Sequence, residues 1–258
     1  MAELTVAVRL DAMQMPLKRA LQTAARLGAT AIELDARNAV KPGEMTDTGL
    51  RQLRKLLDDY NLRVAALRFQ TRRGYDNLQD LDRRVDATKS AMRLAYKLGS
   101  PVVVNQLGLV PESTEDARWS SFQSVIEDLG RYGARVGAFL AAETGAESGE
   151  TLAAFLGDSE DAFIAVALNP GQLIINRHSV PDAITALKDR VVLVYAVDGV
   201  LDLAAGRGIS VPLGQGTADF PQLIGMLEDI QYRGAFVVGR PDSTLDELQQ
   251  GIEYLRNL

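Results

Sequence analysis

The chain of 258 residues contains no cysteine and no long apolar run. Without cysteine there can be no disulfide framework, no thiolate nucleophile and no cysteine-ligated metal. No apolar stretch approaches the roughly 20 residues that cross a bilayer as a helix. The N-terminus has no basic segment followed by an apolar core, so we expect no signal peptide. These absences predict a cytoplasmic protein without a membrane partner.

Positive charge is in the minority. The sequence has 28 Lys and Arg against 34 Asp and Glu, a formal net charge of -6. Contacts to nucleic-acid phosphates need Lys and Arg in excess on one face, so this balance argues against nonspecific nucleic-acid binding. We therefore expect no nucleic-acid partner. The oligomeric state is left open by the composition.

Short β-branched runs alternate with longer amphipathic stretches along the whole chain. Continuous apolar strands separated by helices indicate a parallel sheet that is covered on the outside. Eight such units in this length favour one α/β domain, a single (β/α)8 TIM barrel over residues 1–258, with an active site at the carboxyl ends of its strands. The predicted strands are 5–10, 31–34, 63–69, 101–105, 136–143, 163–168, 191–197 and 235–238, and the predicted helices are 17–27, 47–60, 78–98, 114–132, 149–156, 181–189, 220–231 and 245–258.

The main rival is a doubly wound sheet, which usually has a glycine-rich phosphate turn after its first strand. Here the segment from Asp11 to Gln14 follows that strand and contains no glycine. The barrel is therefore the preferred interpretation.

Polar side chains follow most of the predicted strands and become the candidates for ligand binding. They are Glu33, Arg68, Asn105, Glu143, Asn169, Gln172, Tyr195, Asp198 and Arg240. Further polar residues at the same end are Arg37, Gln70, Arg72, Arg73, Glu147 and the only histidine, His178.

Five short strings carry a resemblance to a known family. They are Ala142-Glu143-Thr144, Leu168-Asn169-Pro170-Gly171-Gln172, Tyr195-Ala196-Val197-Asp198, the segment from Gly214-Gln215-Gly216 to Asp219-Phe220, and the segment from Gly234 to Gly239. In this order they resemble the Glu strand, Asp-Pro-Gly turn, His-x-x-Asp strand, Gly-x-Gly loop and final Gly-x-x-x-x-Glu strand of the xylose isomerase-like barrels. That superfamily includes sugar phosphate isomerases and epimerases and AP endonuclease family 2. The resemblance spans nearly the whole chain.

The resemblance implies a site for Mn²⁺, Mg²⁺ or Zn²⁺ held by Glu, Asp, His and Glu. This chain has Glu143, Asn169, Tyr195 and Gly239 at those positions. An amide oxygen is neutral, a phenol has an unperturbed pKa of roughly 10, and glycine has no side chain. One formal negative charge remains where the family has three. We therefore expect no metal ligands and no cofactor, with Glu143 as the single catalytic candidate and Tyr195 or a water filling the space beside Gly239.

Arginines at the expected mouth add a hint of an anionic ligand. Arg37, Arg68, Arg72 and Arg73 would lie on neighbouring loops, and arginine forks bind carboxylate or phosphate through two hydrogen bonds. Arg68 is the best candidate because it ends the strand itself. A solvated loop charge is the simpler interpretation of Arg72 and Arg73.

The sequence thus predicts a sugar isomerase- or epimerase-like barrel that binds a small polyhydroxylated ligand, neutral or anionic, at its mouth. The metal-dependent proton transfer of the family is expected to be lost or altered. One alternative is an active sugar (phosphate) isomerase or epimerase with a metal site rebuilt from Glu33, Glu147 or Asp198. Another is a non-catalytic structural or regulatory protein. A single histidine argues against the AP endonucleases, whose metal cluster is rich in His.

Overall fold

The apolar runs form eight parallel strands that close into a barrel. The computed structural model describes residues 4–157, 159–202 and 207–258. The barrel strands are β1 (Thr5–Arg9), β2 (Ala31–Asp35), β3 (Arg63–Arg68), β4 (Val102–Asn105), β5 (Phe139–Glu143), β6 (Ala165–Leu168), β7 (Val191–Ala196) and β10 (Ala235–Val238). They pair in the order β1-β10-β7-β6-β5-β4-β3-β2, which confirms the predicted TIM barrel.

Helices cover the outside of the barrel. They are α1 (Leu17–Arg26), α2 (Asp47–Asp59), α3 (Leu81–Lys97), α4 (Trp119–Val136), α5 (Gly149–Leu156), α6 (Pro170–Ile175), α7 (Val180–Leu187), α8 (Phe220–Asp229) and α9 (Leu245–Arg256). Several begin at a side chain that accepts a backbone N–H three residues later, as Thr46 does for α2 and Thr244 for α9. In the described part of the chain, no helix combines the length and the apolarity needed to cross a membrane.

Alternation along the strands divides the core into two layers. In β1, Val6 and Val8 belong to the large cluster that joins the strands to the helices, whereas Ala7 packs with Ala31 and other strand residues inside the barrel. Alanine is the commonest residue of this inner cluster. Because alanine fills little volume, the lumen has room for large polar side chains two residues further along β1, β2, β3 and β5.

The boundaries of α4 differ most from the sequence prediction. The helix expected at 114–132 lies at Trp119–Val136, and β5 starts at Phe139 rather than at 136. Gly137 adopts a left-handed conformation, with φ of 79°, and ends α4. Val136 therefore belongs to the last helical turn, although its β-branched side chain is typical of a strand.

Additional structure lies between β6 and α8. The strands β8 (Asp198–Asp202) and β9 (Arg207–Val211) pair in antiparallel fashion where the sequence predicted a loop. The short helix α6, also not predicted, packs on them so closely that a Cβ added at Gly208 would lie 2.3 Å from the Cα of Ile175. This hairpin extends the carboxyl end of β7 over one side of the barrel mouth.

Candidate functional site

Polar side chains enter the barrel lumen at the carboxyl ends of the strands. Two residues beyond the inner alanines Ala7, Ala31, Ala66 and Ala141 stand Arg9, Glu33, Arg68 and Glu143. Tyr195 occupies the matching place on β7, two residues after Leu193. Because side chains of one parity point to one side of a strand, these groups converge above the apolar lumen.

Tyr195 lies at the centre of this group. Its hydroxyl donates to Oε1 of Glu33 at 2.5 Å and accepts from Nη1 of Arg68 at 2.8 Å. The guanidinium carbon of Arg68 lies 5.5 Å from the centre of the tyrosine ring. Burial, together with the neighbouring Glu33 carboxylate, holds the pKa of Tyr195 well above its ordinary value. The phenol is therefore a neutral hydrogen-bond donor at physiological pH.

The carboxylate of Glu143 is surrounded by N–H donors. Nη2 of Arg68 and Nε2 of Gln70 both donate to Oε2 at 3.0 Å, and Nδ2 of Asn169 donates to Oε1 at 2.8 Å. The side chains of the Arg68–Glu143 ion pair are only 12% and 4% exposed. The ion pair therefore links β3 to β5, the two strands on either side of β4. Arg68 points inward, as its proposed role requires, but its fork already contacts Glu143 and Tyr195.

Glu33 and Arg9 complete the buried network. Oε2 of Glu33 is buried without a hydrogen-bond partner and lies 4.0 Å from Nε of Arg9. Burial raises the pKa of Glu33, although Arg68 and Arg9 act in the opposite direction. Arg9 itself donates two hydrogen bonds to Asp11, at 2.7 and 2.6 Å. Arg9 was not among the predicted site residues, although its position near the end of the first predicted strand was an available signal.

The space beside Gly239 is largely filled. A Cβ added there would lie 3.0 Å from Cδ2 of Leu248, 3.2 Å from Cβ of Arg9 and 3.4 Å from Cβ of Ala12. The adjoining cleft has a volume of only about 10 Å³, enough for about one water. The side chains nearest to the position that a side chain at residue 239 would occupy are therefore those of Arg9, Ala12 and Leu248, rather than the expected Tyr195.

The donor set at these positions does not fit a divalent ion. Such ions need several oxygen ligands, preferably charged. The Glu143 carboxylate faces three N–H groups, and Oδ1 of Asn169 accepts from the backbone N–H of Gln172 at 3.1 Å. Over the described ranges, no group of three or more His, Asp or Glu side chains is arranged to hold a metal ion.

Three other predicted ligand-binding residues make contacts within the protein. Asn105 accepts from the backbone N–H of Thr71 at 3.1 Å and donates to the hydroxyl of Tyr75 at 2.9 Å. Asp198 accepts from the backbone N–H groups of residues 199, 216 and 218 at 2.8 to 3.0 Å. Arg240 pairs with Glu247 on α9 at 3.1 Å. Asn105 and Asp198 therefore fix loops around the mouth, and their ligand contacts stay predictions.

A cavity of about 520 Å³ opens beside this network, over the ends of β3 to β6. Its polar walls include Thr71, Gln106, Glu143, Glu147 and Gln172. This volume falls in the range of ordinary small-molecule sites, which is roughly 300–1,000 Å³. Of the predicted ligand-binding residues, Glu143 and Gln172 therefore reach a cavity large enough for a monosaccharide.

Glu147 is the most perturbed acid of this cavity. Its Oε2 is buried without a hydrogen-bond partner, and burial raises the pKa of the carboxyl to about 7. A carboxyl with a pKa near neutrality inside a cleft is suited to give and take protons. From the sequence, Glu147 was expected only as a polar residue at this end of the barrel and as a possible ligand of a rebuilt metal site.

Many solved structures share this fold. Residues 21–258 match the family model of the xylose isomerase-like TIM barrel. A xylose isomerase domain protein from Planctomyces limnophilus superposes with a TM-score of 0.85 at 20% identity, over 99% of this chain and 97% of that one. A xylose isomerase-like TIM-barrel protein from Mycobacterium smegmatis, solved with magnesium, superposes with a TM-score of 0.76 at 18% identity, over 99% of this chain and 96% of that one. A D-allulose 3-epimerase from Methylomonas sp., solved with D-allulose, superposes with a TM-score of 0.75 at 18% identity, over 99% of this chain and 97% of that one.

No curated protein sequence matches the chain significantly. At 18–20% identity the solved structures support the fold alone. The family model covers most of the chain, and its match confirms the resemblance drawn from the five motifs. The chain belongs to the xylose isomerase-like TIM-barrel family.

Proposed function

We propose that this member of the family binds a small polyhydroxylated ligand, a sugar or sugar derivative, in the cavity at the barrel mouth, and that it does so without a divalent metal. The observation that carries the proposal is the surroundings of Glu143. Its two oxygens accept N–H groups from Arg68, Gln70 and Asn169, which occupy the directions from which a cation would be bound.

The walls of the cavity support a carbohydrate-like ligand. Thr71, Gln106, Gln172 and Asn176 offer hydroxyl and amide groups, and Glu143 and Glu147 offer carboxyls. Such groups can both donate to and accept from sugar hydroxyls. Solved relatives named as sugar epimerases, including one with D-allulose bound, are consistent with this class of ligand.

Glu147 favours a second, catalytic candidate: metal-independent proton transfer. Its carboxyl, with a pKa of about 7, faces the same cavity as Glu143. In its ionised form it would accept a proton from the carbon next to a sugar carbonyl, leaving an enediolate. The neutral carboxyl would return the proton to the other enediolate carbon on the same face, as the hydroxyl proton passes to the former carbonyl oxygen. This candidate keeps the proton transfer of the sugar isomerases but assigns it to a residue that needs no metal.

The first test is calorimetric titration of EDTA-treated protein with neutral ketoses and sugar acids, with and without added Mn²⁺. We expect binding that Mn²⁺ does not change and that Gln172→Ala weakens by about two- to twelvefold, since a lost hydrogen bond to a ligand costs about 0.5–1.5 kcal/mol. The substitution removes only the side chain of Gln172. The helix cap is kept, because the backbone N–H of residue 172 makes that hydrogen bond to Asn169. Gln249→Ala, at an exposed position on α9, is the matched control.

The second test separates the two candidates. The ligands that bind are incubated with EDTA-treated protein in D2O, and loss of the proton next to the carbonyl is followed by NMR. Exchange that disappears in Glu147→Gln supports metal-free catalysis, whereas binding without exchange leaves a binding protein. Binding or exchange that requires Mn²⁺ would overturn the proposal in favour of a rebuilt metal site.

A further inference from the structure

A second cavity adjoins the mouth on its basic side. It has a volume of about 390 Å³ and lies between the loop after β3 and the start of α3. The arginines among its lining residues are Arg37, Arg72, Arg73, Arg83 and Arg84, and the acidic residue among them is Asp80. The lining therefore carries a formal excess of four positive charges in a chain whose net charge is -6.

These five arginines are not neutralised within the protein. Over the described residues, none of them lies within 4.0 Å of a carboxylate oxygen, whereas Arg118 pairs with Asp116 at 2.8 Å elsewhere on the surface. Five positive charges with only Asp80 among them repel one another, and an anion in their midst relieves that repulsion. The cluster therefore selects a ligand group of negative charge.

Backbone carbonyls fix two of the arginines in place. Nη1 of Arg37 donates to the carbonyl of Gln70 at 2.5 Å. The guanidinium of Arg84 donates to the carbonyls of Gln79 and Asn77. Both contacts tie the arginines to the segment that leaves β3 and leads into α3. An anion here would meet side chains that are already partly ordered, which lowers the entropic cost of binding.

The basic cavity and the mouth cavity share a wall. Thr71, Arg72 and Arg73 line both of them. A ligand can therefore place one end beside Glu143 and Glu147 and the other end among the arginines. Arg72 and Arg73 are exposed, as the interpretation of them as solvated loop charges expects, and they also stand between the two cavities.

We propose that Arg37, Arg72, Arg73 and Arg83 form a phosphoryl subsite, so that the ligand of the mouth is a phosphorylated sugar with its ring in the larger cavity. This inference rests on the proposed carbohydrate-binding function and adds the charge and orientation of the ligand. A dianionic phosphoryl group matches an excess of four charges better than the single charge of a sugar acid.

The test uses two double variants that each remove two positive charges. Arg72→Gln/Arg73→Gln alters the shared wall, and Arg19→Gln/Arg51→Gln alters exposed arginines on α1 and α2. Inorganic phosphate alone is titrated first and followed by backbone amide shifts. D-fructose, D-gluconate and D-fructose 6-phosphate are then compared by calorimetry.

We expect phosphate to shift the amides of residues 71–74, with at least tenfold weaker binding in Arg72→Gln/Arg73→Gln and less than a twofold change in the control. The sugar phosphate should bind at least tenfold more tightly than fructose or gluconate, and the first double variant should lose that advantage. Equal phosphate binding by the two double variants, or no amide shift in the wild type, overturns the subsite. If phosphate binds as expected but no sugar does, the subsite stands and the carbohydrate proposal fails. If fructose binds and the phosphoryl group adds no affinity, the carbohydrate proposal stands and the subsite fails.

Discussion

The hydroxyl of Tyr195 donates a hydrogen bond of 2.5 Å to Oε1 of Glu33, across the centre of the barrel. Both side chains are fully buried, and the same hydroxyl accepts from Arg68. In place of the histidine that the family motif implies, the chain thus has a phenol, whose hydroxyl links the buried carboxyl of Glu33 to the guanidinium of Arg68. The position retains a structural role that depends on one oxygen atom.

Replacing Tyr195 by Phe tests that role. The substitution removes the oxygen and leaves Oε1 of Glu33 and Nη1 of Arg68 without their partner in a buried site. We expect a loss of about 1–3 kcal/mol in the free energy of unfolding, measured by urea denaturation, because unsatisfied buried polar groups carry a desolvation penalty. Tyr96→Phe, at a side chain that is 62% exposed, should change stability little. Equal effects of the two substitutions would contradict the prediction.

The ion pair between Arg68 and Glu143 predicts strong energetic coupling. Breaking a buried pair typically costs about 3–5 kcal/mol, so Arg68→Met should destabilise the protein by that order. In a double-mutant cycle with Glu143→Gln, the second substitution should cost much less once the first is present. The exposed pair Lys55–Asp59, whose side chains are 74% and 50% exposed, is the control and should couple by less than about 1 kcal/mol. Similar coupling in the two pairs would show that the lumen is as well solvated as the surface.

The inward direction of Arg68 illustrates what the sequence left undetermined. The run Val64-Ala65-Ala66-Leu67 is apolar throughout, so alternation could not assign its faces. In the structure the register shifts, because Ile32 pairs with Val64 while Glu33 pairs with Ala66. This bulge turns Ala66 and Arg68 into the lumen. A bulge depends on the pairing of two strands, and one strand's sequence does not reveal it.

Glu143, Asn169 and Tyr195 were easier to place, because each lies near or just after the end of a strand whose type and end were readable. The contacts among them were not. Arg68 and Gln70, at the end of β3, reach Glu143 on β5 past the intervening strand β4, and no local sequence pattern reports such a contact. The missed hairpin has a similar cause, since β8 and β9 are stabilised by packing against α6. These features depend on tertiary packing. The eight βα units of the barrel, in contrast, can be predicted from the periodicity of apolar residues along the sequence.

Glu147 predicts a pH dependence of stability. Burial raises the pKa of its carboxyl from 4.5 to about 7 in the folded protein. Between these values the folded state binds more protons than the unfolded state, so this group's contribution to stability falls as the pH rises from about 4.5 to 7 and is then constant. Glu147→Gln should remove that slope and make the protein relatively more stable above pH 7. The measurement is urea denaturation at several pH values, with Glu150→Gln at an exposed position as control. A parallel pH profile for wild type and Glu147→Gln would refute the assignment.

Gly239 predicts that the missing carboxylate cannot be restored by a single substitution. The residue has φ of 119°, which side chains rarely adopt, and a Cβ there would lie within 3.0 Å of Leu248 and 3.2 Å of Arg9. Gly239→Ala should therefore lower the free energy of unfolding by about 1–3 kcal/mol, from backbone strain and crowding together. Gly99→Ala is the matched control, because Gly99 has φ of 74° and no atom within 4 Å of the added Cβ, so it reports strain alone. We expect Gly239→Ala to be the more destabilising of the two in urea denaturation.

We expect Gly239→Glu to destabilise the protein further than Gly239→Ala and to bind no Mn²⁺, as measured by elemental analysis. Stoichiometric Mn²⁺ in a folded Gly239→Glu variant would show instead that Glu143 and Asn169 can exchange their N–H partners for a metal ion, and that the lost glutamate alone separates this chain from the metal-binding members of its family.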